Sequence, residues 1–97
     1  MKVEFLELAQ FELDDSREYY NFQQPKLGDI FKKDVQSSVD KIIELPTLYP
    51  EITLDIRRCL LHRFPFSVIY SITIETIIVL AIAHQARKPF YWIDRVQ

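Results

Sequence analysis

From Phe64 to Ile74 the chain alternates. Phe64, Phe66, Val68, Tyr70, Ile72 and Ile74 share one parity, and Ser67, Ser71 and Thr73 fall on the other. Successive strand side chains point to opposite faces, so this spacing predicts a half-buried strand with the first set turned inward. The next run, Ile77 to Ala83, is apolar on both parities, as expected of a strand covered on both faces. Between them Ile74-Glu75-Thr76-Ile77 holds no Gly, Pro or Asn. Two β-branched runs this close in sequence nevertheless predict an antiparallel hairpin. The second strand ends at His84, where a basic, aromatic segment begins, and a strand end feeding a polar segment is where a site is sought first.

Upstream, Lys2 to Leu6 alternates with Val3 and Phe5 on one side, a short first strand. Ala9, Leu13, Ser16 and Tyr20 then recur at helical spacing and predict a helix over 9–22, with Glu12, Asp14 and Asp15 on its outer surface. Pro25 breaks it. Leu27, Ile30, Phe31, Val35, Val39, Ile42 and Ile43 predict a second helix over 27–45, stopped by Pro46. The short break between the helices makes them an antiparallel pair. Helices of this length are marginal alone in water, so their apolar stripes must pack on the sheet. Ile52 to Leu61 reads as one strand, with a bulge expected near Arg57-Arg58. With no helix among the last three strands, they form an antiparallel meander. The expected fold is α+β, in the order β-α-α-β-β-β, an antiparallel sheet with a helical hairpin on one face. Pro89 suits the first turn of a short closing helix.

Ninety-seven residues suffice for one domain with one core, taken as 1–97. At 48% hydrophobic and 27% charged, the composition is neither disordered nor membrane-spanning. The longest apolar run is far below the roughly 20 residues of a spanning helix. Met1-Lys2 leads into Val3-Glu4-Phe5 with no secretion signal, so the expected compartment is the cytoplasm of a bacterium-like cell. The single cysteine, Cys59, excludes an internal disulfide and reads as a buried small hydrophobe. The net charge of −2 provides no global field toward nucleic acid. Its distribution is uneven. Residues 1–50 carry six Lys/Arg against ten Asp/Glu, and residues 51–97 carry six against four. Most cations of the second half are arginines, which bind carboxylates and phosphates through two bonds and stack on aromatics. Ordinary surface charge explains such a distribution, but clustering beside His84, Tyr91 and Trp92 favours an anionic partner.

Several chemistries lack their residues. One glycine, Gly28, provides no phosphate-cradling loop. His62 and His84 lie 22 apart with one cysteine in the chain, so no metal site and no cofactor are expected. Ser67 and Ser71 sit mid-strand without a nucleophile elbow. What remains is Arg57, Arg58, His62, Arg63, His84, Arg87, Lys88, Tyr91, Trp92 and Arg95. His84 is of the residue type whose charge changes near neutral pH; a packed, hydrogen-bonded histidine is the plainer account. Tyr91-Trp92 reads as a core-capping pair before a stacking platform. Arg63 and Arg87 flank the hairpin ends and converge if the register pairs Phe64 with the region of Ala86.

Taken together, Ile56-Arg57-Arg58, Arg63-Phe64-Pro65-Phe66, Val68-Ile69-Tyr70 and the tail from Val79 through His84, Arg87-Lys88-Pro89, Tyr91-Trp92 and Arg95 resemble the ParE/RelE superfamily of toxins. The resemblance is nearest to its ParE-like, plasmid-stabilisation branch and covers essentially the whole chain. It implies a toxin of a type II toxin–antitoxin module, neutralised by a cognate antitoxin that lays a helix and an extended segment over it. In the RelE branch, which cuts mRNA on the ribosome, it implies a sheet cation at Arg58, an arginine after the last strand at Arg87, and loosely a tyrosine at Tyr91. The arginine of that branch's penultimate strand falls at Ser67, which holds no phosphate by charge, and the acidic net charge also departs from that branch. The ParE branch is associated instead with inhibiting DNA gyrase by binding. The expected surface for such a target is Arg63, His84, Arg87 and Trp92. An mRNA endoribonuclease and an inactive antitoxin-binding relic are the alternatives.

Overall fold

Strands and helices fall where the two periodicities put them, with one strand more than expected. The structure, a computed structural model, describes residues 1–96. It contains β1 (Lys2–Phe5), α1 (Glu7–Gln23), α2 (Leu27–Glu44), β2 (Glu51–Thr53), β3 (Ile56–Leu60), β4 (Phe66–Ile72) and β5 (Thr76–His84), followed by a 3₁₀ turn at Ile93–Arg95. The sheet order is β1-β5-β4-β3-β2. Two helices on one face of this sheet make the fold α+β.

The expected strand over 52–61 is divided. The break falls at Leu54-Asp55, not at Arg57-Arg58, and β2 folds back antiparallel on β3. Asp55 takes a left-handed φ of 61° and donates its backbone N–H to Glu51 Oε1 at 3.0 Å. Aspartate tolerates that conformation, so the reversal needs no glycine to announce it. The sheet is also not wholly antiparallel: β1 runs parallel beside β5. Parallel neighbours need a long connection, and the chain between Phe5 and Thr76 provides one. The expected turn after β4 forms at residues 73–75, which leaves Ile74 exposed rather than inward.

At the helix break, Gln24 is extended, as the residue before a proline should be, and Lys26 takes a left-handed φ of 72°. Gly28 sits where α2 crosses α1. A Cβ there would run into the Arg17 carbonyl, so only glycine lets the backbones approach this closely. Its N–H donates to Asn21 Oδ1 at 2.7 Å, and Arg17 pairs with Asp29 at 2.7 Å across the same crossing.

The helix-facing core gathers Ala9 and Leu13 from α1, Phe31, Val35, Val39 and Ile42 from α2, and Phe66, Val68, Tyr70, Ile77, Val79 and Ile82 from the sheet. This is the inward parity of β4 as expected, but Ser67 and Ile69 on the other parity are buried too, so the strand is covered on both faces rather than half-buried. Ile30 and Ile43 are the exceptions on the α2 stripe: they lie at its margins and are exposed. Phe31 packs against Tyr20, Phe64 and Phe66 with ring centroids 4.8–5.4 Å apart, and each such pair adds about 0.5–1.5 kcal/mol beyond area burial. The other face holds a smaller cluster of Ile56, Ile69, Leu80, Ala81 and Trp92. Leu80 is an extra residue in β5. Ile69 pairs Ala81 and Tyr70 pairs Val79, so a bulge at Leu80 switches which parity faces the helices. Ile77, Val79 and Ile82 thus face the helices while Ile78, Leu80, Ala81 and Ala83 join or pack against the second cluster, so Ile77 to Ala83 is apolar on both parities because both faces are covered.

Candidate functional site

β3, β4 and β5 present alternate side chains to the face away from the helices. Arg58 and Leu60 therefore project there while Cys59 points into the core. Leu60, Ser67 and Ala83 lie side by side across the three strands. After His84 the chain turns over this face, and residues 85–92 form a wall. Between floor and wall lies an open cleft of about 380 Å³. Its lining carries Arg58, His84, Arg87 and Lys88, with Ser67 on the floor and, among the described residues, no carboxylate.

His84 and Arg87 also line a second cleft, of about 340 Å³, between α1 and the end of β5. They form the ridge between the two. His84 packs edge-on against Phe66, with centroids 4.8 Å apart, and its Nδ1 accepts the Ala86 N–H at 2.9 Å. The neutral ring with that bond carries its proton on Nε2. The Arg87 guanidinium stacks 3.9 Å from the centre of the Tyr91 ring, a cation–π contact that holds it beside the cleft.

Not every expected residue reaches this place. Arg58, His84, Arg87 and Tyr91 come together, with Lys88. The hairpin register meets the condition set for Arg63 and Arg87 to converge, with Phe66 opposite His84 and the Gln85 N–H donating to the Pro65 carbonyl at 2.8 Å. Arg63 nonetheless lines neither cleft: its backbone N–H is held by Asp34 Oδ2 of α2 at 2.9 Å, and its side chain is exposed. Trp92 lies against the cleft but is 3% exposed, so it packs the second core cluster rather than offering a contact face. Tyr91 stands in the wall, but its hydroxyl donates to Glu12 Oε2 at 2.6 Å. Burial first, then that hydrogen bond, push its phenol well above the ordinary range, so it stays protonated and is spoken for. Arg57 ties the loop before β2, donating to the Thr47 and Tyr49 carbonyls at 3.2 and 2.6 Å. Burial pushes the Cys59 thiol up, which fits an inert core residue.

One participant escaped the sequence reading. Periodicity puts Glu12 on the outer surface of α1, yet its side chain is 12% exposed and pairs with Arg95. Its helical position lies one residue before Leu13, at the margin of the buried stripe; periodicity marks that margin but not its partner 83 residues away.

A family model described as "ParE toxin of type II toxin-antitoxin system, parDE" matches residues 3–89. The chain belongs to the ParE toxin family. It is thus a toxin of a type II toxin–antitoxin system, and membership implies a cognate antitoxin as partner. Solved structures share the fold of this ParE-family chain. One is titled "Chromosomal ParDE TA system from P. aeruginosa", with 20% identity and a TM-score of 0.76, over 87% of this chain and 95% of that one. Another is the isolated E. coli RelE toxin, with 16% identity and a TM-score of 0.65, over 99% and 98%. No curated protein matches the sequence. Among the described residues, no helix of this ParE-family toxin is long and apolar enough to cross a membrane.

Proposed function

We propose that this toxin arrests growth by binding a DNA gyrase-type target in the cytoplasm rather than by cutting RNA. The carrying observation is a cationic cleft with a serine, not an arginine, on its floor, and with the hydroxyl of its wall tyrosine already bonded elsewhere. Arg58, Arg87 and Lys88 supply charge to a lining that holds no carboxylate among the described residues, the nearest ones, Glu12 and Asp15, lying in the second cleft on the far side of Arg87. The Tyr91 hydroxyl is bonded to Glu12, and His84 Nδ1 to a backbone N–H. Ser67, where the RNA-cutting branch carries arginine, occupies the floor. Such a surface suits an acidic protein segment or a phosphate backbone, held by charge-assisted hydrogen bonds.

A second reading is ribosome-dependent mRNA cleavage. It is favoured by Arg58 and Arg87 lying in one cleft, and by the fold shared with E. coli RelE. The two are separated by inducing the toxin with and without its antitoxin, then measuring plasmid supercoiling and transcript integrity. Gyrase inhibition is expected to shift the topoisomer distribution with transcripts intact, and Arg87→Ala to weaken it. Cleaved transcripts in a translating extract, with supercoiling normal, would establish the second reading instead. Normal growth on induction alone would mark a relic that only binds antitoxin.

A further inference from the structure

We infer that Glu12 is a positioning residue, which latches the closing segment onto the sheet and thereby sets the wall of the cationic cleft. β1 ends at Phe5, opposite Val79, and the Leu6 N–H donates to the Val79 carbonyl at 3.0 Å. Beyond that point no strand covers this edge of β5. The edge is satisfied by side chains instead. Glu12 Oε1 accepts the Ile82 N–H at 3.1 Å, and Arg95 Nη1 donates to the Leu80 carbonyl, exposed by the bulge, at 3.0 Å. Buried backbone groups need such partners, so the two side chains are fixed to the sheet itself.

The same carboxylate then holds the closing segment. Arg95 Nη1 donates to Oε1 at 2.8 Å, Arg95 Nη2 to Oε2 at 3.0 Å, and the Tyr91 hydroxyl to Oε2 at 2.6 Å. One carboxylate thus accepts four hydrogen bonds from β5 and the tail. Two-pronged pairing with a guanidinium fixes direction as well as distance. Tyr91 passes the constraint on, because its ring face carries Arg87. Glu12 is not in the lining of the cationic cleft, so its influence there runs through Tyr91 and Arg87. Removing it leaves Arg95 without its counter-charge and the Ile82 N–H unpaired, which favours lifting of the segment.

The single tryptophan, Trp92, sits on this segment, 3% exposed, and reports its position. The purified full chain and Glu12→Ala are compared by Trp92 emission and acrylamide quenching, with far-UV circular dichroism and urea unfolding as controls. The expected result is a red shift and a several-fold rise in quenching, while helix content and cooperative unfolding persist. A folded Glu12→Ala with unaltered emission and quenching overturns the inference. Should Glu12→Ala fail to fold, Arg95→Gln combined with Tyr91→Phe supplies the same reading: it removes both tail contacts of the carboxylate and spares the Ile82 bond, and an immobile Trp92 there overturns the inference equally. The link to growth arrest rests on the proposed function, and loss of arrest in Glu12→Ala is expected. If Trp92 moves and arrest persists, the latch stands and the role given to the cleft fails.

Discussion

The two faces of the sheet are built by different physics. The helix-covered face is broad, aromatic and uncharged, closed by two amphipathic helices that touch at Gly28. The other face has a small apolar cluster under a short segment, which is held down by one carboxylate and its partners. Apolar burial is non-directional and scales with area, so it suits the face that stabilises the fold. A hydrogen-bonded ion pair contributes less to stability but fixes geometry, and it appears on the face that carries the cationic cleft. The lesson is that stability and site precision are divided between faces, which lets charge collect on one without weakening the other.

The sharpest way to break this comparison is the same truncation on both faces. Ile82 and Ile69 are each 2% exposed, the first toward the helices and the second toward the closing segment. Isoleucine-to-alanine changes cost about 2–5 kcal/mol, depending on how far the surroundings collapse. Ile82→Ala is expected near the top of that range in urea unfolding and Ile69→Ala near the bottom, because a short segment settles where two helices cannot. Equal costs would mean the faces are equivalent, and the reverse order that the closing segment is the more rigid cover.

Gly28→Ala should come next, at about 1–3 kcal/mol from overpacking. The gain in helix propensity, about 1 kcal/mol, does not offset it, since the obstructing atom is the Arg17 carbonyl of the backbone. A variant as stable as wild type would show that the helices slide freely on their face of the sheet.

Tyr70→Phe should cost about 1–2 kcal/mol, because it leaves the Pro46 carbonyl without the donor now 2.7 Å away. Burial pushes the Tyr70 phenol up from 10.0 to about 12. A raised folded-state value means stability that is complete below about pH 10 and lost as pH rises through about 12. Wild type should therefore weaken over that alkaline interval more than the Phe variant does, as read from the urea midpoint against pH.

The smallest effect is expected at Asp29, on the outer side of the helix crossing. The Arg17 guanidinium, followed by Asn21, holds its carboxyl below the usual 3.8. Its contribution is present above that value and disappears as pH falls through the depressed one. Asp29→Asn should be slightly less stable than wild type at neutral pH, with the difference vanishing in acid.

The sequence by itself determined the periodic parts. Alternation from Phe66 to Ile72 and the stripe from Phe31 to Ile42 each record which side chains face between sheet and helices, and facing has a fixed local period; the burial of Ser67 and Ile69 on the other face left no such mark. The meander was legible on the same basis, the resemblance to the toxin superfamily from its motifs, and His84 and Arg87 as candidates from their place at the end of the last strand. Only the tertiary structure decided the rest. The reversal at Asp55 rests on one residue's φ, which leaves no period behind. Trp92 and Arg63 left the candidate surface because burial of one ring and the anchoring of one loop by Asp34 depend on distant elements. Glu12 entered for the same reason: a carboxylate on a helix margin reads as solvated until a guanidinium 83 residues later folds onto it.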